Sequence, residues 1–143
     1  MRIAALLASA GLCLGVGLVL AWLLGITLFF PQGALARIIV DRQNLIRAHI
    51  DYLMMAQFLC IFGLLLRQYG VDPPLWVVGS ACYGAFSNPL GFLRRAVSFK
   101  PLEHGLPASQ GTPYFPLQAA VSFCLATIGF MGALALVIKA AAQ

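Results

Sequence analysis

The chain has 143 residues, 62% hydrophobic and only 9% charged, with a mean hydropathy of +0.93. Soluble domains carry about 25% charged residues, so the composition excludes an ordinary soluble domain and points to a single integral membrane domain over residues 1–143. The net charge of +5 is spread thinly between apolar runs, which suits a lipid bilayer with anionic headgroups and offers no basic cluster for nucleic acid.

The first apolar run spans Ile3 to Phe30 and ends at Pro31-Gln32-Gly33. It is longer than the roughly 7–15 apolar residues of a signal peptide. Leu12 stands where a lipoprotein site needs a small residue before Cys13, so an uncleaved helix is expected. At about 1.5 Å per residue it overshoots a ~30 Å hydrocarbon core and must tilt or protrude. Ala4, Ala8, Gly11 and Gly15 form a stripe of small residues of the kind that brings membrane helices close together. Loop one, 34–46, alternates Leu35, Ile38 and Ile39 with Arg37, Asp41 and Arg42, and reads as a short interfacial amphipathic turn.

The second helix is predicted over 47–66. It carries His49 and Asp51, the one histidine and the one carboxylate inside any apolar run. Titratable groups in hydrocarbon are costly and need a partner or a function. Two residues apart on a helix, they point to nearly opposite faces. Arg47, one turn before Asp51, is the expected partner for its charge. The His49 face continues through Tyr52, Leu53, Ala56, Cys60 and Gly63, a large polar ring followed by small residues. This leaves a flat trough beside the imidazole that a neighbouring helix or a planar cofactor would fill. A lone histidine there is either a hydrogen-bonded interface residue or a ligand to a metal or haem.

The third helix is predicted over 75–93, entered through Asp72-Pro73-Pro74. Pro89 lacks an N–H, frees the Ala85 carbonyl and should kink the helix. Ser87 and Asn88 are placed to repair it, and Tyr83 shares the Ser87 face. A polar loop follows with Glu103 and His104. The fourth helix, 114–138, contains no charge and has a close-packing face of Ala126, Gly129, Gly132 and Ala133. The expected architecture is therefore an all-α, integral membrane four-helix bundle with both termini on one side. Arg37, Arg42, Arg47, Arg94, Arg95 and Lys100 share the other side and outnumber Arg2, Arg67 and Lys139, which makes loops one and three cytoplasmic. Cys13, Cys60, Cys82 and Cys124 lie in separate runs and are expected as buried apolar residues.

Arg47-Ala48-His49 opening the second helix, Phe86-Ser87-Asn88 in the third, and the length and helix count resemble the styrene oxide isomerase family. Its members are four-helix membrane proteins that bind haem b and rearrange epoxides to carbonyl compounds. The resemblance implies that His49 is the axial ligand of haem b iron, for which Tyr52, Ala56 and Cys60 of its own helical face are the expected lining, and it implies a homo-trimer with haem between protomers. It also implies a small hydrophobic substrate whose oxygen the ferric iron polarises as a Lewis acid. Two positions depart from the family pattern. Met55 stands where the family has an asparagine that helps hold substrate. Gly84 stands at the catalytic tyrosine, with Tyr83 as the nearest tyrosine and candidate catalytic residue. The expected substrate is therefore not styrene oxide itself. Two other readings follow from the residues: an electron-transfer cytochrome with His49 and His104 as paired ligands, and a cofactor-free bundle that assists a larger membrane complex.

Overall fold

A computed structural model describes residues 1–97 and 115–142. The described chain is helical: α1 Arg2–Phe29, α2 Ala34–Ile38, α3 Arg42–Gln68, α4 Leu75–Ala96 and α5 Phe115–Ala141. The predicted 3–30 and 75–93 helices match α1 and α4 closely, and the short amphipathic turn is α2. The second helix starts five residues before its predicted start at 47. The reason is Asp41, whose carboxylate accepts from the Asn44 backbone N–H at 3.0 Å and from Asn44 Nδ2 at 2.7 Å, so that it caps the helix and satisfies one of its orphan donors. Residue 114, at the start of the predicted fourth helix, and loop-three residues Lys100, Glu103 and His104 lie outside the described residues.

The helix ends follow from local chemistry. α3 closes in a Schellman motif: Val71 N–H donates to Leu66 O at 2.9 Å and Gly70 N–H to Arg67 O at 3.2 Å. Gly70 takes the left-handed conformation with φ 64°, which only glycine adopts without penalty. Arg2 Nη1 then holds Asp72 at 2.9 Å and tethers the start of α1 to the α3–α4 turn. Both side chains are exposed, so the pair contributes at most about 1 kcal/mol. At the opposite end, the N–H groups of Val40 and Asp41 donate to Ala96 O, capping the C-terminus of α4.

Three helices are long and apolar enough to cross a membrane: α1, α3 and α5 over Leu117–Ala141. Within their most apolar windows only 22% (α1) and 28% (α3 and α5) of residues are buried in the chain, so most of each apolar surface faces outward, as a bilayer requires. The protein is therefore a multi-pass membrane protein. α4 has 22 residues, enough at about 1.5 Å each to span, but Ser80, Tyr83, Ser87 and Asn88 leave it without a stretch as apolar as those of the other three.

α3 and α4 form the centre. α1 lies against α3 and touches α4; α5 lies against α4 and touches α3; α1 and α5 do not meet. The α4–α5 contact is the tightest. A Cβ on Gly84 would overlap the Ala126 backbone, and one on Gly129 would overlap the Ala81 backbone. The expected Ala126, Gly129, Gly132, Ala133 face is thus the one used, running antiparallel to Val77, Ala81 and Gly84. Phe130 of α5 rests on Phe58 and Phe62 of α3, with centroids 5.5 and 5.9 Å apart.

The small-residue stripe of α1 behaves differently. Ala4, Ala8, Gly11 and Gly15 are exposed, and the helix instead buries Leu6, Ala10, Cys13, Gly17 and Leu20. The α3 surface opposite is built from Tyr52, Leu53, Ala56 and Gly63, and bulkier α1 residues fill it better than a flat stripe. Nor do the cysteines all behave alike: Cys13 is buried, Cys60 and Cys82 are half-buried, and Cys124 is exposed.

Filling the α4–α5 contact should be costly. Gly129→Leu is expected to destabilise the bundle by at least the ~1–3 kcal/mol typical of overpacking, whereas Gly79→Ala, on an open face, should be neutral or gain up to about 1 kcal/mol. Circular-dichroism melts in detergent would rank the two variants against the wild type.

Candidate functional site

α1 and α3 run antiparallel, and two glycines set their spacing. A Cβ on Gly17 would lie 3.0 Å from Leu53 Cδ2, and one on Gly63 would lie 2.9 Å from Leu7 Cδ2. With no side chain at 17, α3 approaches closely enough for His49 Nδ1 to reach the Gly17 carbonyl at 2.8 Å. A carbonyl only accepts, so Nδ1 carries the proton of the neutral ring. Nε2 is then left with its lone pair. An Nδ1–H donated to a backbone carbonyl is the arrangement that orients ligating histidines and fixes their tautomer.

Between the same two helices lies a groove of about 430 Å³, lined by Leu7, Ala10, Gly11 and Leu14 of α1 and by Leu53, Ala56, Gln57 and Cys60 of α3. Helical offsets of four, seven and eleven residues put Leu53, Ala56 and Cys60 within about 40° of His49 around α3. The histidine stands at the head of the groove, about 10 Å along the axis from Ala56. Arg42, seven residues before His49, is on the same stripe and exposed. The groove is open on its outer side, where Gly11 and Gln57 are exposed.

Of the site residues predicted from sequence, Ala56 and Cys60 line this groove; His49 is not among the lining residues and stands one turn before Leu53 on the same stripe. Tyr52 does not line it either. It is fully buried, its hydroxyl donates to Phe86 O at 3.2 Å, and its ring meets Phe86 edge-on at 5.9 Å. It therefore points into α4, at the turn that Pro89 disrupts. Pro89 frees the carbonyl of Ala85 and not that of Phe86, so this bond ties α3 to α4 without replacing the lost donor; the local repair expected from Ser87 and Asn88 is not made, since neither side chain has a hydrogen bond among the described residues. Tyr83 is 54% exposed. It lies two residues from Ala81 and Ala85, both buried, so it points nearly opposite to them and away from α3. The structure does not bring Tyr83 to His49. Gly84 sits in the α4–α5 contact, where no side chain fits, and Met55 packs against the core.

The expected Arg47–Asp51 pair is not formed: Asp51 has no hydrogen bond or ion pair among the described residues and Arg47 is exposed, while the ion pair Arg2–Asp72 lies at the other end of α3. No group of three or more His, Cys, Asp and Glu side chains converges among the described residues, so His49 stands as a single donor. That suits a metal which brings the rest of its ligands with it. Sequence reasoning missed the α1 wall, Gly17 and Gln57. Gln57 alone had a visible signal, as the one amide in the second apolar run. The chain matches no protein-family model, no curated protein and no solved structure, so the family resemblance rests on the residues quoted for it.

Two outcomes follow from this geometry. Tyr52→Phe leaves the Phe86 carbonyl without its cross-helix donor and should cost about 1–3 kcal/mol, seen as a lower melting temperature with the groove residues untouched. In the neutral protein, ¹⁵N NMR of labelled histidine should report His49 protonated at Nδ1; the Nε2–H tautomer would contradict the Gly17 contact.

Proposed function

We propose that the protein is a haem b-binding membrane protein similar to the styrene oxide isomerases, with His49 as the iron's one protein ligand. The observation that carries the reading is the His49–Gly17 hydrogen bond at the head of the α1–α3 groove. It offers a lone pair on Nε2 beside an apolar slot walled by small residues. The fit is chemical as well as steric. Ala10, Gly11, Ala56 and Cys60 leave room for a flat apolar group, and a Cβ added at Gly11 would meet nothing within 4 Å. Arg42 provides a cation on the His49 stripe, where acidic substituents of such a group would emerge toward the membrane surface.

Haem held this way supplies a Lewis acid for a small oxygen-containing ligand. The chain's own part is to hold and exclude. His49 is pinned by Gly17, so its ring cannot rotate freely. Leu7, Leu14 and Leu53 keep water from the groove. The two polar groups with which the family orients its substrate have no equivalent here: Met55 is apolar, and Ala126 closes the space at Gly84. Orientation can supply several kcal/mol of a barrier, so the ligand acted on differs from styrene oxide.

The groove is open on one side, and a second copy would close it, in keeping with the homo-trimer that the resemblance implies. α4 serves as the fourth crossing, with Ser87 buried in the bundle and Tyr83 on its exposed side. Loops one and three face the cytoplasm, because the arginine-rich end of the bundle carries Arg37, Arg42, Arg47, Arg94 and Arg95.

The visible spectrum tests the cofactor. Protein expressed with haem supplied should show a Soret band that is lost in His49→Ala and retained in Tyr83→Phe and Met55→Ala. No band in the wild type, or one unchanged in His49→Ala, sinks the reading and favours a cofactor-free bundle. The purified wild type should convert an aryl epoxide to aldehyde slowly or not at all, as gas chromatography of the products would show.

A further inference from the structure

Three polar side chains from three helices share one level of the bundle. Across the α4–α5 contact Gly84 faces Ala126 and Ala81 faces Gly129, and further along Arg94 Nη1 donates to Gln118 Oε1 at 2.6 Å. The same antiparallel register sets Asn88 opposite Ser122. Asp51 comes from α3. It stands two turns before Phe58 and within about 20° of it around the helix. Phe58 rests on Phe130 of α5, so Asp51 is on the side of α3 that faces α5. Its neighbour Tyr52 reaches the Phe86 carbonyl, which puts Asp51 within about 3 Å of the level of Asn88 along the bundle axis. Ser122 is buried, and Asp51 and Asn88 are half-buried. Neither Asp51 nor Asn88 has a hydrogen bond among the described residues; Ser122 gives its proton to Ala119 O and keeps its lone pairs. The same stripe of α3 leads to this level from the arginine-rich end. Asn44, two turns before Asp51, is only 9% exposed, and its Oδ1 has no hydrogen-bond partner among the described residues.

We propose that Asp51, Asn88 and Ser122 hold a small monovalent cation, an alkali ion or an ammonium group, between α3, α4 and α5. The class follows from what the cluster offers and what it lacks. The Asp51 carboxylate only accepts, the Ser122 oxygen has its lone pairs left, and the Asn88 side chain brings a carbonyl oxygen. Asn44 adds a further acceptor on the way in. What is missing is a cation or a strong donor. The acceptors are all oxygens, the set that hard cations take, and the single carboxylate balances one positive charge. A carboxylate inside a membrane span is costly and is found paired. Arg47, one turn away on α3, is exposed and makes no ion pair with it, and Arg94 is engaged by Gln118. The site lies on nearly the opposite side of α3 from His49, so it does not require the haem.

The test uses the full chain in lipid-supplemented detergent at constant ionic strength. Sodium, potassium or ammonium chloride should raise the melting temperature by about 3–6 °C over the chloride of N-methylglucamine, a bulky cation. Asp51→Asn should abolish the rise. Ser122→Ala and Asn88→Leu should each weaken the apparent cation affinity about tenfold. Thr127→Ala, whose hydroxyl is satisfied on Phe123 O on the exposed side of α5, should leave the rise unchanged. The salt that acts tells an alkali ion from an ammonium group. Each variant is compared with itself in the bulky-cation salt, so a general loss of stability does not mimic a lost site. No cation-specific rise in the wild type overturns the proposal and leaves Arg47 as the group that neutralises Asp51. A rise of undiminished size in Asp51→Asn overturns it as well.

Discussion

Helices in hydrocarbon gain nothing by hiding apolar side chains from one another, so this bundle depends on how closely its backbones approach. Gly17 and Gly63 set the distance between α1 and α3, and Gly84 and Gly129 set it between α4 and α5. In each pair the missing Cβ is what admits the neighbouring helix. The candidate site follows from the same constraint. His49 reaches the Gly17 carbonyl where the missing side chain leaves room for Leu53 against α1, and the groove beyond it lies where Ala10 and Gly11 face Ala56 and Cys60.

Several polar groups in the spans donate to backbone carbonyls. Tyr52, one turn along α3 from His49, donates its hydroxyl to the Phe86 carbonyl of α4. That bond locks α3 against α4 on one side while the His49–Gly17 bond locks it against α1 on the other. The two ties sit three residues apart on one helix and together fix its rotation. With α3 so held, Leu53, Ala56 and Cys60 are obliged to face the groove. A tyrosine spent in this way is a structural residue, and what remains for a ligand is the imidazole and the apolar walls.

A single chain leaves much of this arrangement unfinished. α1 and α3 present a groove open on one side, with an amide at mid-span and glycines turned outward. α4 lacks a stretch as apolar as those of α1, α3 and α5 and exposes Tyr83. Both features make sense if the working unit is larger than one chain, with the outer α1–α3 face covered and the polar α4 kept within the assembly.

Read alone, the sequence determined the membrane class, the positions of four long helices to within a few residues, the α4–α5 packing face and the isolation of His49. These depend on composition, periodicity and proline or glycine punctuation, all of which are local. It placed Ala56 and Cys60 on the His49 stripe, since helical offsets decide which residues share a face, and both line the α1–α3 groove. Only the tertiary structure decided what each face meets. The α1 stripe of Ala4, Ala8, Gly11 and Gly15 has the spacing of a packing surface yet points outward, because α3 is better filled by Leu6, Ala10 and Cys13. Tyr52 shares a helical face with His49 yet turns to α4, where its ring meets Phe86 and its hydroxyl reaches the Phe86 carbonyl. Tyr83 shares the Ser87 face of the third helix yet is exposed, since it points nearly opposite to the buried Ala81 and Ala85 on either side of it. Periodicity tells which residues lie together on a helix; which neighbour receives them depends on close packing between helices, and that is a property of the assembled bundle.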